Sequence, residues 1–224
     1  MRRFAVLLSL GLLVWNNVVQ LLPGTSTAYV PLNLAATGVV VGTARRHGLS
    51  SSDLGLRRDR IRAGARWGGA VAAGVAAALA VAVAVPSLQP LLDDARVRRL
   101  GPDAVAYHAL VRIPLGTVLL EEVAFRGALF GALARGSSQT RAAVVSSAVF
   151  GLWHVRPTLG LLDANDIAHD SVARTGSVAA AVVVTAAGGL FFCLLRVRSD
   201  STLAPILAHT ATNSLGVLAS AITR

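Results

Sequence analysis

Long apolar runs separated by short polar segments extend along the chain. A helix needs about 20 mostly apolar residues to cross a bilayer. By that length the pattern predicts about seven spans, at residues 4–22, 28–43, 67–86, 105–133, 141–162, 177–195 and 201–222. The fourth is long enough to include an interfacial turn before Pro114, and the RVRSD segment before the seventh predicts a tight hairpin. The predicted fold is therefore an all-α, polytopic membrane bundle.

The apolar runs continue from one end of the chain to the other, which favours one integrated membrane domain. Residues 1–104 would supply N-terminal helices and a basic loop, and residues 105–224 a helical core with a polar intramembrane cavity. The first run, MRRFAVLLSLGLLVWNNVVQ, begins like a signal peptide. It lacks a small-x-small cleavage site, and Trp15, Asn16 and Asn17 break the expected pattern. We therefore expect an uncleaved first membrane helix.

Composition supports the membrane class. The 224 residues are 54% hydrophobic and 14% charged, whereas soluble domains carry about 25% charged residues. The single cysteine, Cys193, lies in an apolar run, which excludes a disulfide framework and a thiolate metal site.

The charge of +10 comes entirely from arginine, with 21 basic residues against 11 acidic ones. The arginines cluster between apolar runs, which indicates membrane orientation and contact with anionic lipid headgroups, and excludes nucleic-acid binding. With the N-terminus cytoplasmic, 13 arginines lie on the inner side and 6 on the outer side. The all-arginine, Ala/Val-rich composition indicates a bacterial inner membrane. The basic loop at residues 45–66 is either an amphipathic segment on anionic lipid or a solvated loop.

Three polar clusters interrupt the apolar spans. They are Glu121, Glu122 and Arg126 in LLEEVAFRG, Phe150 and His154 in FGLWH, and His209 and Asn213 in HTATN. Residues four apart share a helix face, so Glu122 and Arg126 should form an ion pair. Glu121 points about 100° away and has no partner in its own helix. An ionisable residue at this depth indicates a functional site by default, although such residues also bridge helices.

Together, a carboxylate, two imidazoles and an amide suffice for hydrolysis, because they supply a base, its support and two oxyanion donors. The chain contains no HExxH, GxSxG, Gly-x-Gly-Asp or P-loop motif. Those other hydrolytic and nucleotide-binding classes are therefore excluded on sequence grounds.

The three motifs EExxxR, FxxxH and HxxxN occur in that order within residues 105–222. In this they resemble the CPBP family of intramembrane proteases, which includes prenyl (CAAX) endopeptidases and bacteriocin-processing and immunity proteins. The resemblance implies catalytic residues Glu121, His154, His209 and Asn213, with Glu122, Arg126 and Phe150 in support. Glu121 would be the general base and His154 would hold the water. His209 and Asn213 would stabilise the oxyanion.

The resemblance leaves the cofactor and the substrate open. The family has also been described as metalloproteases, in which case Glu121, His154 and His209 would bind zinc. We favour a metal-free glutamate mechanism, because the arrangement lacks HExxH. The substrate would be a peptide or a membrane protein. Two other classes are a non-catalytic partner or immunity protein that sequesters a peptide, and a proton relay or transporter. The absence of an inverted repeat counts against the last.

Overall fold

A computed structural model describes residues 1–224, and its regular structure is entirely helical. The α-helices are α1 Arg2–Asn17, α2 Tyr29–Arg46, α3 Ile61–Ala84, α4 Ala95–Arg98, α5 Pro102–Tyr107, α6 Leu119–Glu122, α7 Phe130–Ala134, α8 Gln139–Trp153, α9 Val155–Asn165, α10 Ser171–Ser199, α11 Leu203–Thr210 and α12 Gly216–Ile222. Wider π-helical turns occupy His108–Val118, Val123–Leu129 and Ala211–Leu215. Short 3-10 turns lie at Val19–Leu21, Arg58–Arg60 and Pro86–Leu92.

The π-helical turns join shorter pieces into two continuous helices, 102–134 and 203–222. The predicted interfacial turn before Pro114 is wrong, because helix 102–134 runs through that proline. A proline lacks an N–H group and its ring crowds the carbonyl four residues earlier. Pro114 lies inside a π-helical segment, where the regular hydrogen-bond pattern is already altered, so the helix continues.

Three helical stretches are long and apolar enough to cross a membrane: Arg2–Leu21, Arg58–Ala84 and Ser171–Ser199. These stretches support a membrane protein, while the count of seven spans stays a prediction. The predicted span 141–162 is wrong as a single helix, because α8 ends at Trp153 and α9 begins at Val155. The tight hairpin before the last span is present, with Asp200 in the left-handed region at φ 50°.

Helix 102–134 forms the centre of the bundle. Every residue from 120 to 132 is buried, on all sides of the helix. A helix buried all round must be enclosed by other elements. Its apolar side chains, among them Phe125, join a core with Phe4 and Leu12 of α1 and Phe150 and Trp153 of α8. The N-terminal helices therefore pack directly against the segment that carries the EExxxR motif.

The segment that precedes the 3-10 turn Arg58–Arg60 is folded onto helix 102–134. Leu49 and Leu54 are 2% and 0% exposed and belong to the same core. A Cβ atom on Gly131 would lie only 2.6 Å from the Asp53 carbonyl oxygen. Glycine therefore permits the close approach, and this part of the basic loop is neither a lipid-surface helix nor freely solvated.

Polar contacts hold the same segment in place. Arg196 donates to the Ser52 carbonyl at 2.8 Å, and the Thr202 hydroxyl donates to the Leu54 carbonyl at 2.7 Å. Arg135 forms a 2.8 Å ion pair with Asp53. Burial raises the pKa of Asp53, but hydrogen bonds from Ser50 and the contact with Arg135 outweigh it and lower the pKa below its usual value. The loop thus ties helix 102–134 to α10 and α11.

Candidate active site

Glu122 lies at the centre of the polar cluster and is fully buried. Its Oε1 atom accepts a hydrogen bond from Arg126 Nη1 at 3.1 Å, so the ion pair predicted from the four-residue spacing is present. The same oxygen lies 2.7 Å from His209 Nδ1 on helix 203–222. Glu122 therefore links two helices, a contact that the spacing within one helix did not predict.

His209 is held from both sides of its ring. Because an ionised carboxylate only accepts hydrogen bonds, Nδ1 carries a proton and donates it to Glu122. Nε2 lies 3.1 Å from the Asn213 amide nitrogen, which donates to it. The ring also stacks on Phe192, with centroids 4.9 Å apart and an interplanar angle of 23°. These contacts fix the orientation of Nε2, which faces Glu121 Oε2 at 3.8 Å.

Glu121 is only 5% exposed, yet it has one free oxygen. Its Oε1 atom accepts a 2.9 Å hydrogen bond from the Trp153 indole N–H. Its Oε2 atom has no hydrogen-bond partner in the protein. A buried carboxylate oxygen without a partner is costly unless water or a substrate supplies one. Glu122 Oε2 also lacks a partner, but that side chain is fully buried and its charge is balanced by Arg126. Glu121 Oε2 is therefore the acceptor at which a water molecule can be held.

Trp153 is the residue of the site that the sequence analysis missed. It lies beside His154 in the FGLWH motif and is 3% exposed. Its carbonyl accepts a 2.7 Å hydrogen bond from the Asn16 amide of α1. The neighbouring Asn17 accepts a 3.0 Å hydrogen bond from the Arg156 backbone N–H. Two asparagines at the end of an apolar helix were the available signal, and they hold the break between α8 and α9.

His154 lies at that break, where its backbone leaves the helical conformation. Its Nδ1 atom donates to the Phe150 carbonyl at 2.8 Å, so Nε2 is left with a lone pair. Glu121, proposed from the sequence as its partner, forms no hydrogen bond or ion pair with it. His154 is half-buried and packs against the Phe150 ring, with centroids 4.5 Å apart.

Phe150 joins the three motifs through its ring. The Arg126 guanidinium lies 4.0 Å from the ring centroid, which is a favourable cation–π distance. The His209 ring lies nearly perpendicular to it, with centroids 6.2 Å apart. The contact compensates part of the burial of Arg126, whose Nε and Nη2 atoms have no hydrogen-bond partner. Phe150 therefore forms an apolar wall between His154, Arg126 and His209.

The arrangement brings the EExxxR and HxxxN motifs into direct polar contact and places FxxxH against them. A scan against protein-family models matches residues 103–215 to a family described as type II CAAX prenyl endopeptidase Rce1-like. The chain belongs to this family. All three motifs lie inside the matched region. Membership of this family implies protease activity, and together with the long apolar helices it implies a membrane protein. Searches of curated proteins and of solved structures found no match.

Metal binding can be judged from the donor atoms. Both imidazoles have Nδ1 engaged by a protein oxygen, which is the usual arrangement around a metal-bound histidine. However, no three histidine, cysteine, aspartate or glutamate side chains lie close enough together to hold one ion. Glu121, His154 and His209 thus have suitable chemistry for zinc but do not converge as three ligands.

Proposed function

We propose that this Rce1-like protein is an intramembrane endopeptidase in which Glu121 is the general base. The observation that carries this proposal is the buried Glu121 carboxylate, which has no arginine partner: Trp153 holds its Oε1 atom, while its Oε2 atom accepts no hydrogen bond and faces His209 Nε2 at 3.8 Å. A general base needs a fixed orientation and a free lone pair within reach of its proton donor. The test is to measure peptide cleavage by the purified protein in vesicles and to compare it with cleavage by a Glu121→Gln variant, which should be inactive.

In the proposed reaction Glu121 Oε2 takes a proton from water as the water oxygen attacks the scissile carbonyl carbon. The carbonyl π electrons move to oxygen and form a tetrahedral oxyanion. When this collapses, the C–N bond breaks and Glu121 returns the proton to the leaving amine. The lone pair on His154 Nε2 is free to accept the second water proton, since Nδ1 is committed to Phe150.

His209 and Asn213 are proposed to stabilise the oxyanion. The Asn213 amide donates to His209 Nε2 at 3.1 Å, so its N–H groups lie beside the same space as Glu121 Oε2. With a proton on Nε2, His209 would donate to the oxyanion and the Asn213 amide would leave Nε2, which frees its N–H groups for the same oxyanion. The Glu122 carboxylate on Nδ1 would stabilise the positive charge. Hydrogen-bond donors in a buried site stabilise a developing negative charge far more than they would in water. Glu122 and Arg126 are positioning residues in this scheme.

The proposed substrate is a peptide segment or a membrane protein presented from the bilayer. The family description names prenyl endopeptidases that act at CAAX sequences. We extend peptide-bond cleavage to this chain, and treat a prenylated tail as one substrate to be compared with an unmodified peptide of the same sequence. The buried, helix-enclosed position of Glu121 supports a substrate that enters within the membrane.

We expect cleavage to persist after exhaustive dialysis against a chelator. The described positions of Glu121, His154 and His209 do not form a three-ligand zinc site, so no step of the proposed reaction passes through a metal. Activity and bound metal would be measured on the same purified sample. Loss of activity that is restored by stoichiometric zinc would support the metalloprotease alternative instead.

Trp153→Phe is expected to lower kcat by about 10- to 150-fold, because a hydrogen bond to a charged group contributes about 1.5–3 kcal/mol. Phenylalanine retains an aromatic ring but lacks the indole N–H that orients Glu121. Trp15→Phe is the matched control, since its N–H donates to Asn33 instead. Equal losses in both variants, or a rise in KM alone, would show that Trp153 does not position the base.

A further inference from the structure

A groove of about 330 Å³ lies between α1, the end of α7 and the first half of α8. Val6 and Leu10 form one wall, and Leu133 and Val145 contribute to the other. Val6 and Leu10 are 57% and 55% exposed, so the groove opens toward the outside of the bundle. No residue of the three motifs lines it. The volume falls within the range of about 300–1,000 Å³ typical of small-molecule sites.

The groove has a basic end. Arg2 begins α1 and Arg141 lies in the first turn of α8, and both line the groove. The two helices run in the same direction, because Asn16 near the end of α1 bonds to Trp153 at the end of α8. The two guanidinium groups therefore lie at the same end, about 18 Å along α8 from Trp153.

Neither guanidinium at this end has a protein partner. The side chains of Arg2 and Arg141 form neither an ion pair nor a hydrogen bond within the protein. Two arginines of the basic loop, Arg57 and Arg60, are paired instead with Asp200. The guanidinium groups of Arg2 and Arg141 are thus free to bind an anionic group from outside the protein.

We propose that the groove binds one anionic glycerophospholipid, with an acyl chain along its apolar walls and the phosphate between Arg2 and Arg141. Guanidinium groups bind phosphate oxygens through paired, charge-assisted hydrogen bonds. The exposed apolar walls match an acyl chain, and the basic end matches a headgroup at the membrane surface. Two unpaired cations select an anionic lipid over an isoprenoid chain, which carries no phosphate that would complement them.

Native mass spectrometry of the full chain, released from vesicles of equal phosphatidylglycerol and phosphatidylcholine content, tests this site. We expect one retained phosphatidylglycerol. Each arginine near a membrane surface contributes about a fivefold gain in affinity. The double variant Arg2→Gln/Arg141→Gln should therefore bind phosphatidylglycerol about 25-fold more weakly.

Arg62→Gln/Arg66→Gln is the matched control, since these exposed arginines of α3 lie outside the groove and form no ion pair. The control should bind within about twofold of the unaltered protein.

Equal retention of phosphatidylcholine would show that the groove holds any acyl chain and would overturn the anionic assignment. Equal weakening in the control pair would show a general charge effect and would also overturn it. Displacement of the lipid by farnesol with no dependence on Arg2 or Arg141 would assign the groove to an isoprenoid chain. Arg3 stays in place in every variant, and a protease-protection assay would confirm that membrane orientation is unchanged.

Discussion

Glu121→Gln is expected to lower peptide-bond hydrolysis by about 10²- to 10⁴-fold, the usual contribution of a general base, while the protein stays folded in the membrane. The amide has the same shape as the carboxylate, and its oxygen can still accept the hydrogen bond from Trp153. It cannot take a proton from water. Release of a cleaved peptide by the purified variant in vesicles, compared at equal protein content, measures the effect.

Asp163→Asn is the matched control for that experiment. It makes the same carboxylate-to-amide change at an exposed ion pair with Arg174 on the surface of α9. The control should cleave at the normal rate, because exposed ion pairs contribute little to stability. Normal cleavage by Glu121→Gln would eliminate Glu121 as the base. A cellular effect that survives Glu121→Gln, with no cleavage by the unaltered protein, would favour a non-catalytic partner that sequesters a peptide.

Local periodicity was sufficient to predict the contacts made within one helix. The Glu122–Arg126 pair and the His209–Asn213 contact both follow from a separation of four residues. The tight turn at Asp200 followed from the short polar segment between two apolar runs. The order of the motifs also indicated the family, to which residues 103–215 were then matched.

Contacts between distant parts of the chain could not be obtained in this way. The hydrogen bond from Asn16 to Trp153 joins residues 137 positions apart, and Trp153 to Glu121 spans 32. Such pairs depend on how helices pack, which helical periodicity does not encode. The same reason explains the docked loop, where Arg196 holds the Ser52 carbonyl. The break at His154 had a local signal that the reading of 141–162 as one span overlooked, because Arg156 and Pro157 follow it and Pro157 lies in the first turn of α9.

The two adjacent glutamates differ in the number of contacts they make, and this difference predicts opposite outcomes for the same substitution. Glu122 is fully buried and its Oε1 atom accepts from both Arg126 and His209, whereas Glu121 accepts only from Trp153 and has no arginine partner. Glu122→Gln would leave the buried Arg126 charge without a counter-ion. Removing one partner of a buried ion pair typically costs about 3–5 kcal/mol. Glu121→Gln, in contrast, should have the same free energy of unfolding as the unaltered protein.

Glu122→Gln is therefore expected to lower the free energy of unfolding by about 3–5 kcal/mol, measured by unfolding of the purified protein in detergent micelles. The double variant Glu122→Gln/Arg126→Met should recover a large part of that loss, because it leaves no uncompensated charge in the core. Its cleavage rate should nevertheless stay low, since His209 would lose the carboxylate that orients its ring. If Glu122→Gln has the same free energy of unfolding as the unaltered protein, the charge of Arg126 is balanced by a group other than Glu122. If the double variant cleaves at the normal rate, the buried pair does not position His209.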